Sequence, residues 1–191
     1  ITGKNTSHIN GYLGVLGDAN LFLINPNGII FGKGTSLDLN GSFTVTTADS
    51  IIFPGYEFNA LNPKKVPLIK VDIPIGLNFS KSTGNIVVKG NGYSLYQPKG
   101  SAKDPPIGIA PLPKGLIVDL GENLSLIASN IKFDGGIINT TNSNIYLGAV
   151  TQGKVGINGS LFGLIPDFSR VNTFGNITFI NHSLILVLLD L

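Results

Sequence analysis

Eleven carboxylates, two histidines and one arginine are spread along this 191-residue chain. The chemistry such residues could do is acid–base cleavage of a sugar bond. That reaction needs two neighbouring carboxylates, or carboxylates with calcium and a basic residue, held in one groove. Here the acids, from Asp18 to Asp190, are mostly singletons, and no obvious pair falls into register. His8 and His182 stand near opposite ends of the chain, so a histidine-based metal site is not expected, and Arg170 has no second arginine to work with. No catalytic residue, metal ligand or cofactor is therefore assigned. A second kind of chemistry is recognition of a partner. Tyr93, Tyr96 and Tyr146 would serve as a sugar-stacking platform if clustered, although partial burial is the ordinary fate of tyrosine. The tetrad Asn25-Pro26-Asn27-Gly28 is, on its own terms, a turn: proline presets φ, Gly28 supplies positive φ, and asparagine side chains bond the turn's backbone.

The elements that must position these residues are strands. Apolar residues make up 42% of the chain and charged residues only 13%, so neutral polar groups have to cover its surface. With 25 glycines, 11 prolines and many β-branched residues, helices are disfavoured. Apolar and polar residues alternate with period two at Leu37/Leu39, Phe43/Val45, Leu124/Leu126, Ile131/Phe133 and Ile177/Phe179, which predicts one buried and one wet face. Offsets recur as well. Leu21 and Leu23 map onto Phe43 and Val45 by adding 22, Ile29 and Phe31 map onto Ile51 and Phe53 by the same shift, and Leu124 and Leu126 map onto Ile145 and Leu147 by 21. Strands this short bury their apolar sides only by stacking one winding on the next, which predicts a solenoid with inward ladders of Leu, Ile, Val and Phe.

The length predicts one domain over residues 1–191 with two excursions. Residues 54–80 contain prolines at 54, 63, 67 and 74, and are placed outside the coil with Pro67–Pro74 as an edge strand. Residues 91–113 form a proline-rich loop insertion. A shorter insertion is expected from Gly159 to Thr173, and Leu184–Leu189 reads as a buried or truncated terminal strand. At six residues that run is far too short to span a bilayer, which takes ~20. A net charge of +2 with scattered lysines gives no field for nucleic acid. There is no cysteine, hence no disulfide scaffold. There is no methionine either, so the chain is expected to be an excerpt or a processed product, with any export signal upstream of Ile1.

Ile1-Thr2-Gly3, Ser7-His8-Ile9-Asn10-Gly11, the run Ala19 to Ile29 with its Asn-Pro-Asn-Gly-Ile segment, and Gly41-Ser42-Phe43 together resemble the secretion domain of filamentous haemagglutinin-like exoproteins of two-partner secretion in Gram-negative bacteria. The likeness extends more loosely through Val71–Leu77 and Leu124–Val150. It implies a right-handed, single-stranded parallel β-helix with extra-helical hairpins, normally preceded by an N-terminal cap that this chain lacks. It also implies export through periplasm and outer membrane to the outside or the cell surface, and a partner β-barrel transporter whose periplasmic domains bind the chain. Transporter recognition falls by resemblance on Asn25, Pro26, Asn27 and Gly28, with Asn20 beside them. The family's second motif, Asn-Pro-Asn-Leu, has only Asn62-Pro63-Lys64-Lys65 as counterpart, and no role is carried to it. A glycan- or host-binding adhesin surface is the alternative function, and a β-helix polysaccharide lyase or hydrolase the third.

Overall fold

The computed structural model describes residues 4–62, 72–81, 83–96, 108–109, 115–118, 121–160 and 163–189. Among these the chain is all-β, with twenty strands and no helix.

Most strands belong to parallel ladders that the chain visits in rotation. The first ladder holds β1 (Ser7–Ile9), β4 (Ile29–Phe31), β10 (Ile86–Lys89), β15 (Ile131–Asp134) and β19 (Ile177–Ile180), in that order. The second holds β3 (Leu21–Ile24), β6 (Phe43–Thr46), β14 (Leu124–Ala128) and the start of β17 (Ile145–Ser160). The third side is built from β2 (Tyr12–Gly14) on β5 (Ser36–Asp38), and from β13 (Leu116–Val118), β16 (Ile137–Thr141) and β20 (Leu184–Leu188). Going from β3 through β4 and β5 to β6 takes the chain once around all three sides and one step along.

This rotation is why the 22- and 21-residue offsets exist. Leu21 pairs with Phe43 and Leu23 with Val45, while Leu124 pairs with Ile145 and Leu126 with Leu147. Inward residues of the three sides meet in one core that includes Ile29, Phe31, Phe43, Val45, Ile86, Leu124, Leu126, Ile131, Phe133 and Ile138. Phe31 and Phe43 sit edge to face with centroids 6.3 Å apart, and Phe133 stacks on Phe179 at 4.5 Å. Each fully buried side chain of this kind contributes about 1.5–3 kcal/mol.

The third expected offset fails. Ile29 and Phe31 pair with Ile86 and Val88 instead of Ile51 and Phe53. Ile51 and Phe53 lie on β7 (Ser50–Phe53), which turns at Pro54-Gly55 and folds back antiparallel on β8 (Tyr56–Asn59). Gly55 adopts φ +81°, and this turn diverts the chain from the ladder. β7 also pairs antiparallel with β9 (Gly76–Phe79), β9 with the far half of β17, and β17 with β18 (Gly163–Phe174). The insertion expected at Gly159 to Thr173 thus falls, over its described residues, in the antiparallel β17–β18 pair. Residues 67–71 of the expected edge strand Pro67–Pro74 lie outside the described residues, and 72–74 carry no strand. In the 91–113 region, β11 (Leu95–Tyr96) pairs antiparallel with β12 (Gly108–Ile109).

The antiparallel sheet covers the outer side of the second ladder, and a second core forms there from Ile24, Ile51, Leu77, Phe79, Ile127, Val150, Val155 and Leu164. Alternation therefore does not mean a wet outer face on this side. Thr44 and Ser125 point outward from the ladder yet are only 5% and 2% exposed. The terminal strand β20 is also not fully buried: as the last strand of its ladder it leaves Val187 and Leu188 exposed.

Candidate functional site

The Asn25-Pro26-Asn27-Gly28 tetrad links β3 to β4 at the corner between the second and first ladders. Its backbone closes through Gly28 N donating to Asn25 O at 3.1 Å, with Gly28 at φ +112°. The Asn25 side chain braces the turn from within. Its Oδ1 accepts from Asn27 N at 3.0 Å and from Asn27 Nδ2 at 3.1 Å. Its Nδ2 donates to Asn5 O at 3.0 Å and to Ser7 Oγ at 2.8 Å. Two donor hydrogens and two acceptor positions are all that a carboxamide has, so Asn25 is saturated.

Neighbouring strands hold the turn on both sides. Thr6 Oγ1 donates to Asn27 O at 3.0 Å and Ser7 N to Gly28 O at 3.0 Å. From the other side, Gly84 N donates to Pro26 O at 2.7 Å, and Ile29 N donates to Asn85 O at 3.0 Å. Space is as restricted as hydrogen bonding. A Cβ on Gly28 would stand 3.2 Å from Asn85 O, and one on Gly84 would stand 2.3 Å from Gly28 N. Asn25, Pro26 and Gly28 are buried and Asn27 is half-buried.

Asn20 is exposed and occupies a different corner, between β2 and β3, where its Oδ1 accepts from Ser42 N at 2.9 Å. The structure thus gathers four of the five sequence candidates into one turn and sets the fifth apart from it by the length of β3.

An extension of this corner is absent from the sequence reading. Below the tetrad, Asn85, Asn130 and Asn176 form a ladder: Asn130 Nδ2 donates to Asn85 Oδ1 at 3.0 Å, and Asn176 N donates to Asn130 Oδ1 at 2.9 Å. The signal was available, because each of these asparagines immediately precedes an isoleucine that opens a strand, Ile86, Ile131 and Ile177.

The remaining sequence candidates do not converge. Tyr93 packs edge-on against His182 at 5.9 Å, whereas Tyr146 lies on β17 opposite Ser125 in another ladder. The Tyr96 side chain lies outside the described residues. His8 is on the edge strand β1 and His182 follows the opposite edge strand β19. The carboxylates accept from different neighbours: Glu122 from Ser42 Oγ at 2.7 Å, Asp49 from Ser80 N and Oγ at 2.7 and 2.6 Å, and Glu57 from Ser50 Oγ. Among the described residues no group of three or more His, Asp or Glu is placed to hold a metal ion. No helix among them is long and apolar enough to cross a membrane.

A family model described as TPS secretion domain matches residues 1–188. No curated protein and no solved structure matches the chain.

Proposed function

This chain belongs to the TPS secretion domain family and is a secretion module of a two-partner secretion exoprotein, and we propose that its Asn25–Gly28 segment is the address that the partner transporter reads before the chain coils. One observation carries the timing: Asn25 is fully buried, with every polar atom of its side chain engaged inside the protein. A partner that reads the Asn25 carboxamide has to meet it while the windings are apart. In the periplasm the uncoiled segment would offer Asn25, Pro26 and Asn27 to the transporter's periplasmic domains, with Asn20 as a flanking contact. Outside the outer membrane the same groups would turn inward and close the β3–β4 corner, so recognition and folding use the same residues in sequence. Burial of the inward ladders, winding by winding, supplies the free energy of that last step. No catalytic step is assigned.

We read the three ladders as windings of a right-handed, single-stranded parallel β-helix. The antiparallel sheet and the β11–β12 pair are then extra-helical excursions. The constant rotation β3, β4, β5, β6 supports this reading.

The test is secretion of a complete precursor co-expressed with its transporter, comparing Asn25→Ala, Asn20→Ala and the exposed control Thr178→Ala. Export and refolding of the purified chain are measured side by side. The proposal expects Asn25→Ala to stay inside at a temperature where the purified variant still folds. Normal export of Asn25→Ala, or an export defect seen only where refolding also fails, removes the recognition role and leaves a purely structural turn.

A further inference from the structure

The outer face of the antiparallel sheet carries a pair of cations that the secretion reading does not use. Lys154 on β17 stands directly opposite Arg170 on β18, and Asn78 on β9 stands opposite Lys154 on its other side. Both cations are exposed. Like charges directly opposite one another across strands are destabilising. Neither forms an ion pair among the described residues, where Lys132–Asp134 is the pair found. The Asp167 carboxylate feels the Arg170 charge, but its two oxygens accept from Ser169 N and Oγ at 2.9 and 3.0 Å.

The backbone around Lys154 is shaped as well as charged. The β17–β18 register slips between Gln152 and Gly153 and again between Lys154 and Gly156. Gly153 takes φ +125°, and a Cβ there would lie 2.6 Å from Asn172 N and 2.8 Å from Arg170 O. Such bulges bend a sheet and re-aim its side chains. The result is a cavity of about 340 Å³ walled by Asn78, Ser80, Gln152, Lys154, Arg170 and Asn172. Its polar walls are two cations, three carboxamides and a hydroxyl. The nearest carboxylates lie behind two of them, Asp49 accepting from Ser80 Oγ at 2.6 Å and Glu57 from Asn78 Nδ2 at 3.3 Å, which leaves Lys154, Arg170, Gln152 and Asn172 facing a ligand.

We propose that this cavity binds a uronate unit of an acidic saccharide. The Arg170 guanidinium offers the planar fork that matches a carboxylate, and Lys154 adds a second positive charge. Carboxamides carry both donors and acceptors, which suits ring hydroxyls better than it suits the acceptor-only oxygens of a phosphate. The proposal is independent of transporter recognition, since the cavity lies on the antiparallel sheet and shares no residue with the Asn25 turn.

The experiment is calorimetric titration of the whole chain with digalacturonic acid, with neutral digalactose, inorganic sulfate and an oligo-aspartate peptide as comparison probes. Digalacturonic acid should bind and digalactose should not. Lys154→Gln and Arg170→Gln should each weaken binding by about tenfold or more, and Arg170→Lys should weaken it because the fork is gone. Raising salt to about 0.5 M should weaken binding further. Thermal melts of the same samples should show Lys154→Gln at least as stable as the parent, since a like-charge pair has been relieved. The proposal is overturned if the double Gln variant binds digalacturonic acid as the parent does, or if digalactose binds equally well. Sulfate or oligo-aspartate binding as tightly as the disaccharide overturns it too, by assigning a simple anion site or a protein partner.

Discussion

The side-chain amide of Asn25 donates to Ser7 Oγ at 2.8 Å, so the β3–β4 turn is tied to the strand beside it across eighteen residues of chain. Removing that amide strands several groups at once. In Asn25→Ala, Asn5 O, Ser7 Oγ, Asn27 N and Asn27 Nδ2 each lose the hydrogen bond they make to a fully buried side chain. An unsatisfied buried polar group costs about 1–3 kcal/mol. We therefore expect a loss of about 2–3 kcal/mol in urea unfolding, against less than about 0.5 kcal/mol for the exposed Thr178→Ala. Asn25→Asp should do no better, because it presents an acceptor to the Asn5 carbonyl.

Close approach of backbones at the same corner gives an independent expectation. A Cβ on Gly84 would stand 2.3 Å from Gly28 N and 2.4 Å from Asn27 C, which are main-chain atoms that cannot swing aside. Gly84→Ala should force the two corners apart and cost about 2 kcal/mol or more. At Gly34 an added Cβ meets nothing within 4 Å, so Gly34→Ala should change stability by less than about 1 kcal/mol. Urea midpoints of the two variants decide the matter, and equal midpoints would contradict the packing of Gly84 against the Asn27-Gly28 peptide.

Period-two alternation and the offsets at Leu21 and Leu124 are properties of strand faces, so stacked columns were legible in the residues. Pairing direction was not. Ile51 and Phe53 alternate as an inward parallel strand would, and only the Pro54-Gly55 turn two residues before Tyr56 signals the hairpin that takes them elsewhere. The covered outer face was also written in the chain: Phe22, Ile24 and Ile127 are apolar at outward positions, the mark of a strand buried on both sides. The turn at Asn25 was recognisable from its residue types, whereas the side-chain bonds to Asn5 and Ser7 required the neighbouring strand to be in place. Lys154 and Arg170 are sixteen positions apart, and only the β17–β18 register brings them opposite each other.

Two carboxylates give a pH expectation. Asp134 is held below the ordinary carboxylate value first by the Asn181 amide, 2.6 Å away, and then by Lys132 and Lys89. Asp167 is held down by the Ser169 backbone N–H and hydroxyl, with a smaller contribution from Arg170. A depressed folded-state value means that the stabilisation is present above the unfolded value and is lost as pH falls through the folded one. Both groups therefore favour the folded chain at neutral pH and cease to do so in acid. In an NMR titration, Asn181→Ala should raise the Asp134 midpoint toward the ordinary value and leave Asp167 unmoved. An unchanged Asp134 midpoint would mean that the lysines, not the amide, set it.

Two outward residues on neighbouring strands separate the covered side of the protein from a wet one. Ile127 on β14 is 1% exposed because the antiparallel layer lies over it, while Lys132 on β15 has a side chain that is 46% exposed. Ile127→Ala removes apolar volume between two layers that cannot fully collapse, so a loss of about 2–4 kcal/mol is expected. Lys132→Ala should stay within about 0.5 kcal/mol, since its contact with Asp134 is an exposed ion pair. The loss should also be local in character. Because Ile127 packs against the second core and not the first, hydrogen exchange in Ile127→Ala should speed up in β17 and β18 before it does in β4 and β10. Uniform acceleration across all ladders would show that the antiparallel layer and the stacked windings open as one unit, and the two cores would then have to be treated as a single cooperative structure.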